Sequence, residues 1–219
     1  MVKTDFKVEQ PELYRPSSKA FELVDVPRMS FLMVDGRGDP ATSTAYHEAI
    51  EALYSVAYTL KFLGKSEGRD FAVPPLEGLW DSPAVRKALE GVADENAWIR
   101  AFKAADRDAW EWTAMIRQPS WITSGMVRDA KATAAAKKSL PALDRLRLEP
   151  FREGLSVQIM HVGPYSAEAP TLARLHTRHL PDNRLREAGR HHEIYLGDPR
   201  RTAPTRLKTI LRQPVRRVR

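Results

Sequence analysis

No cysteine occurs in this 219-residue chain, which excludes a disulfide framework and any thiolate metal site. No apolar run approaches the roughly 20 residues that a membrane-spanning helix needs, so no membrane association is expected. The opening Met-Val-Lys-Thr-Asp-Phe-Lys lacks the apolar core of a signal peptide, and a cytoplasmic location is the expectation. The six histidines show no ligand spacing, and His191 and His192 fall on opposite faces of a strand, so neither a metal nor another cofactor is expected. Gly36, Gly38 and Asp39-Pro40 lack the lysine of a phosphate loop and read as a turn before a helix. Helix-turn-helix, zinc-finger and aromatic RNA-binding signatures are missing as well. The net charge of +7 therefore reads as a solvated basic surface with a basic tail, and nucleic acid is not an expected partner. The oligomeric state stays open.

What the chain does contain is a repeat. Ile116-Arg-Gln-Pro119 returns as Leu211-Arg-Gln-Pro214, and the apolar strand Met29–Val34 has a counterpart in Leu155–Met160. Leu76-Glu-Gly-Leu-Trp80 pairs in the same way with His191–Leu196. Aligning Trp80 with Tyr195 leaves about 20 additional residues in the first half, read as a helical insertion within 82–105. Tyr46, Ile50, Leu53, Ala57 and Leu60 recur at helical spacing and predict a helix over 42–63, capped by Thr42 or Ser43 and stopped at Gly64. A second helix is predicted from Ser166 to Leu180, with Pro170 in its first turn. An Ala-rich helix at 125–138 connects the halves. Residues 1–20 read as extended and irregular.

The expected fold is α+β, within a single domain over 1–219. Two pseudo-symmetric strand-helix-strand-strand modules, at 20–120 and 145–215, form an antiparallel sheet with helices on one side. The opposite face is left to form a central ligand groove. On the strand at 191–196, His192, Ile194 and Leu196 share one face and point to the core, whereas His191, Glu193 and Tyr195 point away.

Several segments resemble the GyrI-like small-molecule-binding family. They are Leu23-Val-Asp-Val-Pro27, Val34-Asp-Gly-Arg-Gly-Asp-Pro40, Pro75-Leu-Glu-Gly-Leu-Trp80, Trp112-Thr-Ala-Met-Ile-Arg-Gln-Pro119 and His191-His-Glu-Ile-Tyr-Leu-Gly-Asp-Pro199. The resemblance implies a pseudo-twofold fold with a central groove, bulky aromatic or cationic ligands, and Glu193 as the groove carboxylate with Tyr195 and Trp80 beside it. Its stand-alone branch includes cyclopropanoid cyclopropyl hydrolases, which open the reactive cyclopropane of yatakemycin-type compounds. Asp81 stands where close relatives continue with a second Trp, which implies a more polar rim.

The chemistry of these side chains fits that expectation. A carboxylate among aromatic rings is partly desolvated and becomes a better base, so Glu193 can deprotonate water attacking a strained carbon. Tyr195 can donate to the carbonyl that gains charge as the ring opens. Trp80 offers a flat wall or fills the core, and Trp112 reads equally as core or groove wall. His161 beside Tyr165 reads either as a groove pair or as a hydrogen-bonded structural histidine with its neighbour. The same residues suit a non-catalytic multidrug-binding or sequestering protein, or an effector-sensing partner, through ion pairing and cation–π attraction.

Overall fold

The computed structural model describes residues 3–218. In the first half, α1 (Phe6–Glu9) and α2 (Pro11–Tyr14) precede β1 (Glu22–Arg37), α3 (Thr44–Ser66), β2 (Leu76–Asp81), α4 (Pro83–Leu89), α5 (Glu95–Lys103) and β3 (Glu111–Gln118). The second half runs α6 (Ser124–Ala135), β4 (Arg147–Val162), α7 (Ala169–Arg174), α8 (Leu180–Asp182), β5 (Leu185–Glu187), β6 (His191–Tyr195) and β7 (Lys208–Arg217). A π-helical stretch, Leu175–His179, joins α7 to α8.

The strands pair antiparallel in the order β4-β1-β3-β2-β6-β7-β5, and β4 pairs with β7 as well. Six strands therefore close into a ring, which runs β1-β3-β2-β6-β7-β4 and back to β1. Closure depends on two 16-residue strands that each serve two neighbours. β1 pairs with β4 over Glu22–Met33 and with β3 over Ser30–Arg37, while β4 pairs with β7 over Ser156–Val162. Gly154, at φ +76°, sits just before that change of partner, in a conformation that favours glycine.

On the outer face of the ring, α3 and α6 cover β1 and β3. Leu32, Val34, Ala114 and Ile116 meet Leu53, Val56, Ala57 and Leu60, all fully buried. Burying each of the Leu, Ile and Val side chains contributes roughly 1.5–3 kcal/mol, before the entropy of ordering it. Ser43 caps α3, its Oγ accepting the Tyr46 N–H at 3.3 Å. The helix does not stop at Gly64. That residue is glycine because a Cβ there would lie 2.5 Å from the Trp121 ring, and the helix continues to Ser66.

The insertion is helical and reaches across the molecule. Trp98 of α5 packs against Ile159, Leu172, Ala173 and Leu211 of the second half. An ion pair of 2.6 Å between Glu95 and Arg178 joins the same two regions.

The face without long helices curls inward and is filled. Phe31, Met33, Leu79 and Met115 form one apolar cluster there. Residues 6–14, expected to be irregular, form α1 and α2 instead, and Leu13 and Tyr14 pack on Val26, Ile194 and Ile210. Asp5 explains the first of these helices, since its side chain accepts the Lys7 N–H. Both arginines of the Arg-Gln-Pro repeat hold this segment. Arg117 donates to Gln10 and to the Tyr14 hydroxyl and lies 3.8 Å from the Phe6 ring centroid, while Arg212 donates to the Leu13 carbonyl at 2.6 Å.

His192 points into the same interior, between Glu77 and Glu153 at 3.0 Å each, and Arg212 adds a contact of 3.3 Å to Glu153. Burial alone would lower the His192 pKa, but Glu153 and then Glu77 raise it to about 9. Burial likewise opposes ionisation of Glu153, and the adjacent His192 and Arg212 charges nonetheless hold its pKa low. The inner face is thus a plugged interior, and a groove must lie on the outer face. Among the described residues, no helix is long and apolar enough to cross a membrane.

Candidate functional site

Strand alternation and register bring the outer-face residues together. Gly78 stands opposite Glu193 and Trp80 opposite His191 in the β2–β6 ladder, and Trp80 stands opposite Trp112 in the β2–β3 ladder. Gly78 leaves room for the Trp80 indole, because a Cβ there would lie 2.9 Å from its Nε1. The indole can then lean towards β6 and donate its N–H to the Tyr195 hydroxyl at 3.0 Å. Tyr195 in turn donates to Glu193 Oε2 at 2.7 Å. The chain Trp80–Tyr195–Glu193 fixes one carboxylate oxygen and leaves Oε1 turned to His191 Nε2, 3.6 Å away.

Because the Tyr195 proton is committed to Glu193, its phenol serves to orient the carboxylate in this arrangement. Burial, followed by the Glu193 charge, pushes the Tyr195 pKa well above the ordinary phenol value, so it stays protonated. Tyr46 of α3 closes the floor, with its ring 5.8 Å from Trp80 and 5.0 Å from Trp112. Trp112 itself is core. It is 1% exposed, lies behind Tyr46 and presses on Gly36, where a Cβ would fall 2.2 Å from the indole. Tyr165 stands at the mouth, 38% exposed, with its ring edge-on to Tyr195 at 5.6 Å. His161 is buried with Nε2 at 3.2 Å from the Pro164 carbonyl, so its ring is tied to its own turn.

Glu193, Trp80 and His191 line one end of an open cleft of about 1190 Å³. The insertion forms its far wall through Leu89, Trp98 and Phe102. Asp81 lies on the rim, and Arg86 of α4 pairs with it at 2.9 Å. The cleft is large enough for an extended, flat aromatic molecule.

A second carboxyl group stands behind the first and was not legible in the sequence. Glu168 occupies the N-cap position of α7 without capping it, is 6% exposed, and its Oε1 has no hydrogen-bond partner among the described residues. Burial and then the Glu193 charge push its pKa far up, so it is a neutral carboxylic acid at neutral pH. The only local signal is a glutamate at a helix start, where Ser, Thr, Asp or Asn caps better.

Residues 114–216 match the family described as the GyrI-like small molecule binding domain. Among solved structures, an uncharacterized conserved protein from Listeria innocua is 42% identical, with 98% of this chain and 100% of that chain covered and a TM-score of 0.82. A protein described as a hydrolase, from the same organism, is 41% identical with the same coverage and a TM-score of 0.80. The C-terminal domain of EcmrR shares the fold alone, at 10% identity and a TM-score of 0.52 over 91% of this chain and 98% of that one. By sequence, an ornithine carbamoyltransferase from Neisseria lactamica is 27% identical over 88 residues, which span 40% of this chain and only 34% of that protein.

Proposed function

This chain belongs to the GyrI-like small-molecule-binding family, and from that premise we propose that it takes bulky aromatic or electrophilic compounds into the cleft and hydrolyses cyclopropanoid-type toxic compounds by adding water, as a cytoplasmic detoxifying enzyme. The observation that carries this reading is the oriented carboxylate. Glu193 is fixed by Tyr195 on one oxygen and presents the other to a cleft walled by Trp80. A base so placed removes a proton from water as its oxygen bonds to the strained carbon. The cyclopropane C–C bond breaks, its electron pair passes into the conjugated carbonyl, and that oxygen is protonated. The relative described as a hydrolase, 41% identical along its whole length, supports the catalytic reading.

Turnover of a cyclopropane-bearing electrophile in excess over protein tests it, with product mass raised by one water. Many equivalents should be consumed, and Glu193→Gln should lower the rate by ~10²-fold or more while neutral aromatic ligands still bind. Consumption of a single equivalent by the parent protein identifies a sequestering protein. Equal rates in the parent and Glu193→Gln remove the carboxylate from the chemistry.

A further inference from the structure

The cleft also holds a second polar centre that the hydrolytic reading leaves unused. His176 and Glu187 both line the cleft, and His176 Nδ1 lies 2.8 Å from Glu187 Oε1. The imidazole also stacks on Trp98, at 5.3 Å between centroids and 11° between planes, and Trp98 stacks in turn on Phe102 at 5.2 Å. Ring plane and edge are both fixed: the stack sets the first and the carboxylate the second. With Nδ1–H donated to Glu187, a neutral imidazole offers Nε2 as its acceptor edge, and among the described residues no hydrogen bond to that atom is seen.

The backbone is specialised at the same point. His176 lies in the π-helical stretch Leu175–His179, and π segments inside helices collect at functional sites. Glu187 arrives from the edge strand β5, and Trp98 from the insertion that only the first half carries. Three separate elements thus converge on one imidazole beside an aromatic wall.

We propose that His176, oriented by Glu187 and Trp98, is a specificity subsite for the hydrogen-bond-donating group of an aromatic ligand, a phenolic hydroxyl or a ring N–H. This subsite rests on the cleft being the ligand site, and it deepens that reading. The ligand class it selects is an aromatic that lies in the cleft and offers a donor to this imidazole. A donor group loses water on entering the cleft and recovers a hydrogen bond from Nε2, whereas an ether at that place recovers none.

Binding of 2-naphthol and of 2-methoxynaphthalene at pH 8, followed by tryptophan fluorescence, tests the subsite without any turnover. The parent protein should bind the naphthol about tenfold more tightly, the equivalent of one net hydrogen bond. His176→Phe keeps a flat ring on Trp98 and should make the two affinities equal; His176→Gln, which restores an acceptor, should recover part of the preference. Glu193→Gln should leave the preference intact. Equal affinities in the parent overturn the proposal, as does a preference that survives His176→Phe or disappears in Glu193→Gln. Failure of hydrolysis with this preference intact would reject the catalytic reading alone.

Discussion

His192 and Glu193 are neighbours on β6, and the two faces of that strand handle buried charge in opposite ways. On the inner face, Glu77 and Glu153 enclose His192, and Arg212 completes the set. Every carboxylate there has a cation within reach, and the group is locked under α1 and α2. On the outer face, among the described residues, no Lys or Arg ion pair reaches Glu193 or Glu168, and Glu168 takes up a proton. Compensated burial yields a structural pin. Uncompensated burial beside a cleft leaves electrostatic potential for a ligand or a reaction to relieve.

The most severe way to break that contrast is to remove an inner cation. Arg212→Met leaves Glu153 short of a partner and the Leu13 carbonyl without its donor, and stability should fall by about 3–5 kcal/mol in chemical denaturation. A change under about 1 kcal/mol would show that the inner network does not pin the fold. A finer version exchanges one carboxyl at a time. Glu153→Gln removes an ionised group and should cost about 2 kcal/mol, whereas Glu168→Gln replaces a group already neutral and should stay within about 0.5 kcal/mol. Equal losses would erase the distinction between the two faces.

The smallest effect is spread over pH. His192 has a folded-state pKa of about 9, above its unfolded value, so its contribution is complete below about 6.5 and is lost as pH rises through about 9. Glu168, also raised, carries the same sign. Glu153 is lowered, and its contribution, complete above about 4.3, is lost as pH falls through its folded-state value. Urea midpoints should therefore be highest at about pH 4.3 and decline above it, first through Glu168 and above about 6.5 through His192 as well, by at most about 1.4 kcal/mol per pH unit for each proton released. Glu168→Gln should flatten part of that decline and leave the His192 part. An unchanged alkaline slope in the variant would place Glu168 among ordinary ionised carboxylates.

Much of this contrast was legible in the sequence because strand alternation is a local property. The spacing of His192, Glu193 and Tyr195 assigns their faces, and the two Arg-Gln-Pro copies fall at β3 and β7. The long helix of the first half follows from its apolar spacing, although Gly64 reads as a stop when its glycine answers to Trp121. The partners were not legible. Glu77 and Glu153 meet His192 only through the β2–β6 pairing and the closure of the ring. Glu168 meets Glu193 from a helix start 25 residues away, and His176 is aimed by a π stretch that periodicity does not encode. The helices were expected on the face opposite the groove, yet α3 stands on the groove's own side, where Tyr46 packs on Trp80. Once β4 pairs with β7, the bare face becomes an interior.

That closure also imposes an order in time. A ribosome releases the strand that completes the ring after all the others, since β7 is the last of the seven and joins β4, β6 and β5. The α2 carbonyl of Leu13 waits for Arg212, 199 residues downstream, and Trp98 waits for Leu211. Until then a nascent chain exposes an unfilled interior and a bare indole, both surfaces that chaperones recognise. Contacts of such sequence separation slow folding, and neither half of the ring can close until β7 has joined β4.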